Sequence, residues 1–387
     1  MATALTSRQL VETLVGFDTT SFRSNLQLIE WVADYLSGFG IESRLIPDET
    51  GQKANLYAVV GPADKGGIVL SGHSDVVPVE GQPWDSDPFT VVERDGRLFG
   101  RGTADMKSFI ACSLALVPEL VKRPLKTPVR FAFSYDEEIG CVGVHGVIRH
   151  IEHDGPVPEI VIVGEPTEMK VVNAHKGTMA TNTTVRGLEA HSSAPQTGVN
   201  AIAYAAELVA WLGRTQEELI AGAPADSPFV PPYTTINVGT IKGGTARNII
   251  PRECTFQWDC RSIPEDDGPT IRRRFDDYAE QVLLPRMRAI HPGAEIVSET
   301  RATVTPLRPE TDSPAEALVK RLAGRNDTEV VSYATEGGLF QGTGSSTVVC
   351  GPGNIREAHK PNEWIALDQI AACDRFMRRL AEHVREN

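Results

Sequence analysis

Five short stretches of this sequence hold the acids and histidines that could do chemistry. The first is Ser71–Pro78 (SGHSDVVP), where His73 and Asp75 stand two residues apart. At a strand end such residues share one face, so an imidazole can bind a metal while a nearby carboxylate orients it. By itself a His-x-Asp pair is more often part of a surface loop. In the second stretch, Gly100–Lys107 (GRGTADMK), Asp105 sits in a glycine-rich turn where one carboxylate can bridge two cations. Asp136–Gly140 (DEEIG) opens with three consecutive acids, including Glu137 and Glu138, whose mutual repulsion is costly unless cations or protons compensate it. Glu165 follows in Gly164–Thr167 (GEPT), and His359 in Glu357–Glu363 (EAHKPNE).

The elements that must position these stretches are legible as hydrophobic patterns. Short apolar runs bounded by turn residues, at 55–60, 67–70, 129–134 and 160–163, read as buried strands, and 109–122 reads as a helix between two of them. Residues 25–36 carry Leu26, Ile29, Val32, Ala33 and Leu36 at helical spacing. This alternation predicts an α/β domain with a largely parallel central sheet. The charged stretches then fall just past the C-terminal ends of buried strands, where open α/β sheets place their ligands. One acidic cluster is usually a solvated loop and one histidine usually structural, but five such sites at strand ends point to a metal site.

Beyond Lys176 the pattern changes. Residues 178–185 alternate polar and apolar, 235–241 and 254–261 are strand-like, and 199–212 and 269–287 are helical. They predict a small α+β domain with one sheet face exposed or used for assembly. From about Thr303 the α/β character returns, with a helix at 313–323, a strand at 347–350 and a terminal helix at 367–385. The expected organisation is a catalytic domain made of residues 1–176 and 303–387, with residues 177–302 inserted as a second domain.

Composition narrows the functional classes. With 387 residues, 41% of them hydrophobic and 23% charged, the chain can bury a sizeable core and is not disordered. Its formal charge of -13 repels phosphate backbones, so nucleic acid is not an expected partner. No run of eighteen apolar residues and no signal-peptide pattern occurs, so neither a membrane span nor export is expected. Six cysteines, at 112, 141, 254, 260, 350 and 373, form no CxxC pair and read as reduced, buried thiols of a cytoplasmic protein.

Taken in this order, the motifs resemble the co-catalytic metallopeptidase and deacylase family that includes acetylornithine deacetylase, succinyl-diaminopimelate desuccinylase, aminoacylase and the glutamate carboxypeptidases. The likeness runs over nearly the whole chain and extends to Arg186–Pro195 (RGLEAHSSAP), Gly198–Ala201 (GVNA), Asn248–Pro251 (NIIP) and Arg261–Pro264 (RSIP). It implies a zinc-exopeptidase-like α/β catalytic domain with a mixed central sheet and an inserted ferredoxin-like α+β domain that serves as lid and dimerisation surface. It also implies that Asp105 bridges two divalent metal ions, with His73 and Glu165 completing one site and Glu138 and His359 the other. Asp75 would orient His73, and Glu137 would be the general base. Zinc suits such N/O ligation, and cobalt or manganese could substitute. A cis peptide between Asp105 and Met106 is implied as well. From the lid, His191 would reach the reacting group of a partner subunit and help hold the oxyanion, which makes the active form a homodimer. Arg261 would clamp a free carboxylate with help from Asn248, although both could instead organise strand ends in the lid.

Within the family, Ala334–Gly338 (ATEGG) and the segment Thr347–Glu363 resemble the acetylornithine deacetylase branch. The activity so implied is hydrolysis of N2-acetyl-L-ornithine, a small N-acyl amino acid, to L-ornithine and acetate in arginine synthesis. Other N-acyl amino acid deacylases (a desuccinylase, an acetylcitrulline deacetylase, a deformylase) and a dipeptidase share the chemistry. A non-catalytic amino-acid-binding relative would have lost a ligand or the base, and none is lost here. Two roles are open to Glu336, pairing with a substrate ammonium or serving as a cap in its loop. Ser108, where glycine is common, and Gly337–Gly338 depart from the branch pattern and bear on the substrate more than on the chemistry. Histidines 145, 150, 153, 291 and 383 match no motif and read as surface or structural.

Overall fold

The computed structural model describes residues 3–387, and the chain divides into two compact units. The first holds residues up to Ala174 together with Leu307–Val330 and Thr335–Asn387; the second holds His175–Pro306 and Val331–Ala334. The expected boundary at 302/303 cuts the strand Glu295–Val304, whose last residue pairs with Thr178, so the second unit runs on to Pro306. At the other junction His175 and Lys176 belong to the second unit, where the Lys176 ammonium donates to the carbonyls of Pro231 (2.8 Å) and Tyr233 (2.7 Å).

The first unit is built on an eight-stranded sheet in the spatial order Ser43–Pro47, Ala54–Val60, Val129–Ser134, Ile68–His73, Ile160–Pro166, Ser346–Gly351, Val172–His175 and Glu329–Val331. Four central strands, from Val129–Ser134 to Ser346–Gly351, run parallel, while Ala54–Val60, Ser43–Pro47 and Val172–His175 pair antiparallel. The sheet is therefore mixed, and the largely parallel sheet expected from the apolar runs describes only its middle. Every residue of the four parallel strands is buried, as period 2 requires of strands covered on both faces. The edge strands Ser43–Pro47 and Glu329–Val331 have partly exposed positions or few residues, which is why no apolar run announced them.

Helices Ser7–Val15, Leu26–Ser37, Lys107–Leu120, Pro314–Ala323 and Leu367–Glu386 contribute buried apolar stripes to the core of this unit. One of them is tied to the Asp105 segment: the fully buried Lys107 ammonium donates to the carbonyls of Leu14 (3.0 Å) and Phe17 (2.8 Å) at the end of the first helix. Gly164 permits another close fit, since a Cβ there would lie 2.0 Å from the Phe109 ring.

The second unit follows the order strand, helix, strand, strand, helix, strand. Its antiparallel sheet runs Thr235–Gly243, Glu253–Arg261, Thr178–Arg186, Glu295–Val304, the ferredoxin-like arrangement. Thr178–Arg186 alternates strictly, burying Met179 and Val185 against Phe256, Trp258 and Phe275. Glu295–Val304 is a mostly exposed edge strand that the sequence pattern did not name. The helix expected over 269–287 is interrupted: Gly268–Tyr278 and Leu284–Arg288 flank a π turn at Ala279–Leu283. Pro285 has no N–H to return to the preceding turn, and the helix widens where that bond is missing. Among the described residues no helix is long and apolar enough to cross a membrane.

Candidate metal centre

Local backbone explains how each acid reaches the centre. His73 closes the strand Ile68–His73, Glu165 lies in Ile160–Pro166, and Asp105 directly precedes the helix Lys107–Leu120 across a cis Asp105–Met106 peptide. Of the three consecutive acids, Asp136 (φ 55°) turns away to pair with the Lys53 ammonium. Glu137 and Glu138 are left to face inward. His359, also at positive φ (63°), comes from the loop after the strand Ser346–Gly351.

These side chains converge. His73 Nε2 lies 3.0 Å from Asp105 Oδ1 and 3.8 Å from Glu165 Oε1. On the other side of the same aspartate, His359 Nε2 lies 3.3 Å from Asp105 Oδ2 and 2.9 Å from Glu138 Oε2. Asp105 thus stands between two imidazoles, one oxygen toward each. Ligand-type atoms of His73, Glu137 and Glu165 lie within 4.8 Å of one another, as do those of His73, Asp105 and Glu138.

Electrostatics shows why the cluster suits cations. Burial, reinforced by the Asp105 charge, pushes Glu138 up to about 7 and raises Glu165 well above the usual carboxylate range. Burial does the same to Glu137. It also acts on Asp105, but hydrogen bonds from His359 and His73 outweigh it and hold that carboxyl below its ordinary value. In return, hydrogen bonds to Asp105 and Glu138 lift His359 to about 10. Among the described residues none of the four carboxylates forms an ion pair with a lysine or arginine. Four acids whose charged partners, among the described residues, are two imidazoles form a donor set of N and O atoms that fits divalent cations.

Asp75 meets His73 through both its backbone and its side chain. His73 Nδ1 lies 2.9 Å from the backbone carbonyl of Asp75 and 3.5 Å from its carboxylate. That carboxylate accepts from Ser21 Oγ (2.8 Å) and from the backbone N–H groups of Glu137 (3.1 Å) and Glu138 (3.3 Å). One buried aspartate therefore ties the imidazole to the turn that carries both glutamates, a link invisible in the spacing of residues 75 and 137.

Glu336 stands just before the helix Gly337–Gln341 and makes no side-chain capping bond to it. This carboxylate is 1% exposed and accepts from the hydroxyls of Ser71 (3.1 Å) and Ser134, so its partners are interior serines. His191, Asn248 and Arg261 all lie in the second unit. Residues Ala190–His191 pair with Ile249–Ile250, which brings His191 beside the Asn248 segment. The backbone N–H of Ser193 donates to His191 Nδ1 (3.1 Å), leaving Nε2 as the nitrogen that carries the proton. Arg261 ends the strand Glu253–Arg261, whose other end pairs with Arg186 just before that segment. At about 3.3 Å per residue that strand runs roughly 25 Å from its pairing with Arg186 to Arg261.

Comparison with known proteins defines the class. Residues 69–383 match the model of peptidase family M20/M25/M40, and the chain belongs to this family of hydrolases. Among solved structures it resembles an M20 metallo-carboxypeptidase from Sulfolobus solfataricus (TM-score 0.77, 18% identity, 98% of this chain and 99% of that one). It also resembles a dinuclear metal-binding M20 peptidase from Bacillus subtilis (TM-score 0.62, 17% identity, 98% of each chain). In sequence it is similar to the acetylornithine deacetylase of Proteus mirabilis, with 34% identity over 97% of this chain and 95% of that protein. The same holds for the acetylornithine deacetylase of Myxococcus xanthus, with 34% identity over 97% of each.

Proposed function

We propose that the chain is a two-metal amidohydrolase that removes the acetyl group of N2-acetyl-L-ornithine, giving L-ornithine and acetate in the cytoplasm as a step of arginine synthesis. The observation that carries this reading is Asp105 standing between His73 and His359 in an acid-rich pocket. Full-length similarity to acetylornithine deacetylases supports the substrate.

In this reading Asp105 is shared by two ions, His73 and Glu165 hold one, and Glu138 and His359 hold the other. Zinc fits this ligand set, with cobalt or manganese as substitutes. Bound divalent cations supply an acidified water and a polarised acyl carbonyl. Glu137 does the proton work: its carboxylate takes the proton of the attacking water and returns it to the amide nitrogen as the C–N bond breaks. Asp75 keeps the base and His73 in register through the bonds described above.

The substrate contacts in this reading are Arg261, Asn248 and His191. Arg261 holds the free carboxylate with its planar charged fork, assisted by Asn248. His191, its proton on Nε2, donates to the oxyanion. The length of strand between Arg261 and the His191–Asn248 segment supports their delivery by different subunits of a homodimer.

The test is hydrolysis by metal-loaded enzyme of N2-acetyl-L-ornithine beside N-succinyl-diaminopimelate, other N-acyl amino acids and dipeptides, with Glu137→Ala as control. Preferential turnover of acetylornithine that disappears in the variant is expected. Preference for another substrate overturns the specificity, and full activity of Glu137→Ala overturns the base.

A further inference from the structure

Arg101 and Glu363 form a second buried charge pair that takes no part in the hydrolytic step. Both side chains are 1% exposed, and an Arg101 guanidinium N–H donates to Glu363 Oε2 at 2.7 Å. The other oxygen, Oε1, accepts from two successive backbone N–H groups, Ala104 (2.8 Å) and Asp105 (3.0 Å), in the turn that presents Asp105. On its far side Arg101 donates to Gln82 Oε1 (2.6 Å), and the Gln82 amide donates to the carbonyl of His359 (3.0 Å). A further bond, 3.3 Å long, joins Arg101 to the carbonyl of Lys360. The guanidinium also lies over the Trp84 ring, 5.1 Å from its centroid.

A buried ion pair is a poor stabiliser compared with apolar packing, so its use here is geometric. A planar fork with fixed donor directions can hold two loops at a set separation, which a flexible ammonium cannot. The two loops are those that carry Asp105 and His359. The His359 backbone, at positive φ, is one that a non-glycine residue keeps only with outside support.

We infer that Arg101, Glu363 and Gln82 are positioning residues that hold the Asp105 turn and the His359 loop at the separation at which both can ligate one cation. The inference rests on the two-metal reading of the site. Its test is titration of metal-free full-length protein with Co2+, following ions bound per chain and the visible Co2+ absorption, for the wild type, Glu363→Gln and Gln82→Ala. Glu363→Gln keeps an acceptor for the backbone N–H groups but leaves Arg101 unpaired. Gln82 is only half-buried, so its removal touches the His359 arm without threatening the fold.

In Gln82→Ala the ion held through His359 should bind about 10–100-fold more weakly and the other as in the wild type, whereas Glu363→Gln, which also loosens the shared Asp105, should weaken one ion or both by that factor, each with an altered absorption band. Weakened binding of one ion or both in either variant supports the inference. Two ions at wild-type affinity with the wild-type spectrum, in every variant that folds, overturn it whatever happens to thermal stability. A wild-type protein that takes up fewer than two ions overturns the two-metal reading itself, and the inference with it.

Discussion

Replacing Asp75 by asparagine changes one atom type at a position 2% exposed and tests the link between His73 and the base. Three donors converge on this carboxylate: Ser21 Oγ and the Glu138 N–H on Oδ2, and the Glu137 N–H on Oδ1. The least costly orientation of the amide keeps its oxygen toward Ser21 and Glu138 and turns its NH2 toward the Glu137 N–H and His73. One buried backbone N–H then loses its acceptor, at about 1–3 kcal/mol, and the two remaining bonds lose their charge assistance, at about 1 kcal/mol each. The sum is roughly 3–5 kcal/mol, concentrated on the turn that aims Glu137. For a unit of this size that lowers the melting midpoint by roughly 6–20 °C. A displacement of the base of about 1 Å should also reduce kcat about 10²-fold. Acetate release at saturating substrate, normalised to the folded fraction from tryptophan fluorescence, separates the two effects. Wild-type kcat per folded molecule in Asp75→Asn would refute the claim that this carboxylate positions the base.

Three further outcomes follow from the structure. Burial holds His175 near 4 against an ordinary 6.5, so only the unfolded chain gains a proton as pH falls through that window. Stability should be full above pH 6.5 and drop by up to about 1.4 kcal/mol per pH unit down to about 4; His175→Leu should flatten that slope in urea melts, and an unchanged slope would assign it elsewhere. Gly164→Ala puts a methyl into the Phe109 ring and should cost at least about 1–3 kcal/mol, partly recovered by Phe109→Leu, as read from urea midpoints. Removing metal by chelation should abolish activity, and restoring it should release protons, because without metal Glu138 near 7 and His359 near 10 hold protons at pH 7. Titration calorimetry in buffers of different ionisation heat should show that release shrinking between pH 7 and 8.5 as Glu138 deprotonates, and no release at either pH would contradict the ligand roles of both.

Much of the centre was legible because its parts are local. His73 and Asp75, the acids of 136–138 and Glu165 each stand at the end of an apolar run, and these three runs are buried parallel strands of the sheet. The predicted strand at 129–134 matches the observed one, and the alternation of 178–185 describes a sheet with one buried face. Patterns of two and 3.6 residues record which face of an element is buried, and that record lies in residues close together along the chain. Edge strands such as Glu295–Val304 escaped because a half-exposed strand carries no apolar run.

Tertiary structure alone decided where the remaining charges point. Asp136 turns to Lys53, Asp75 grips the Glu137–Glu138 turn, and Glu336 settles on two serines of neighbouring strands. Glu363 stands inside a motif the sequence displays, yet its partners Arg101, Ala104 and Asp105 lie far away along the chain. Hydrogen bonds between distant segments impose no periodicity on either one. The sequence by itself therefore determined which residues could do the chemistry and which strand ends present them, while the folded chain decided which acids face one another and which are held apart, because those pairings exist only once the sheet has brought remote loops together.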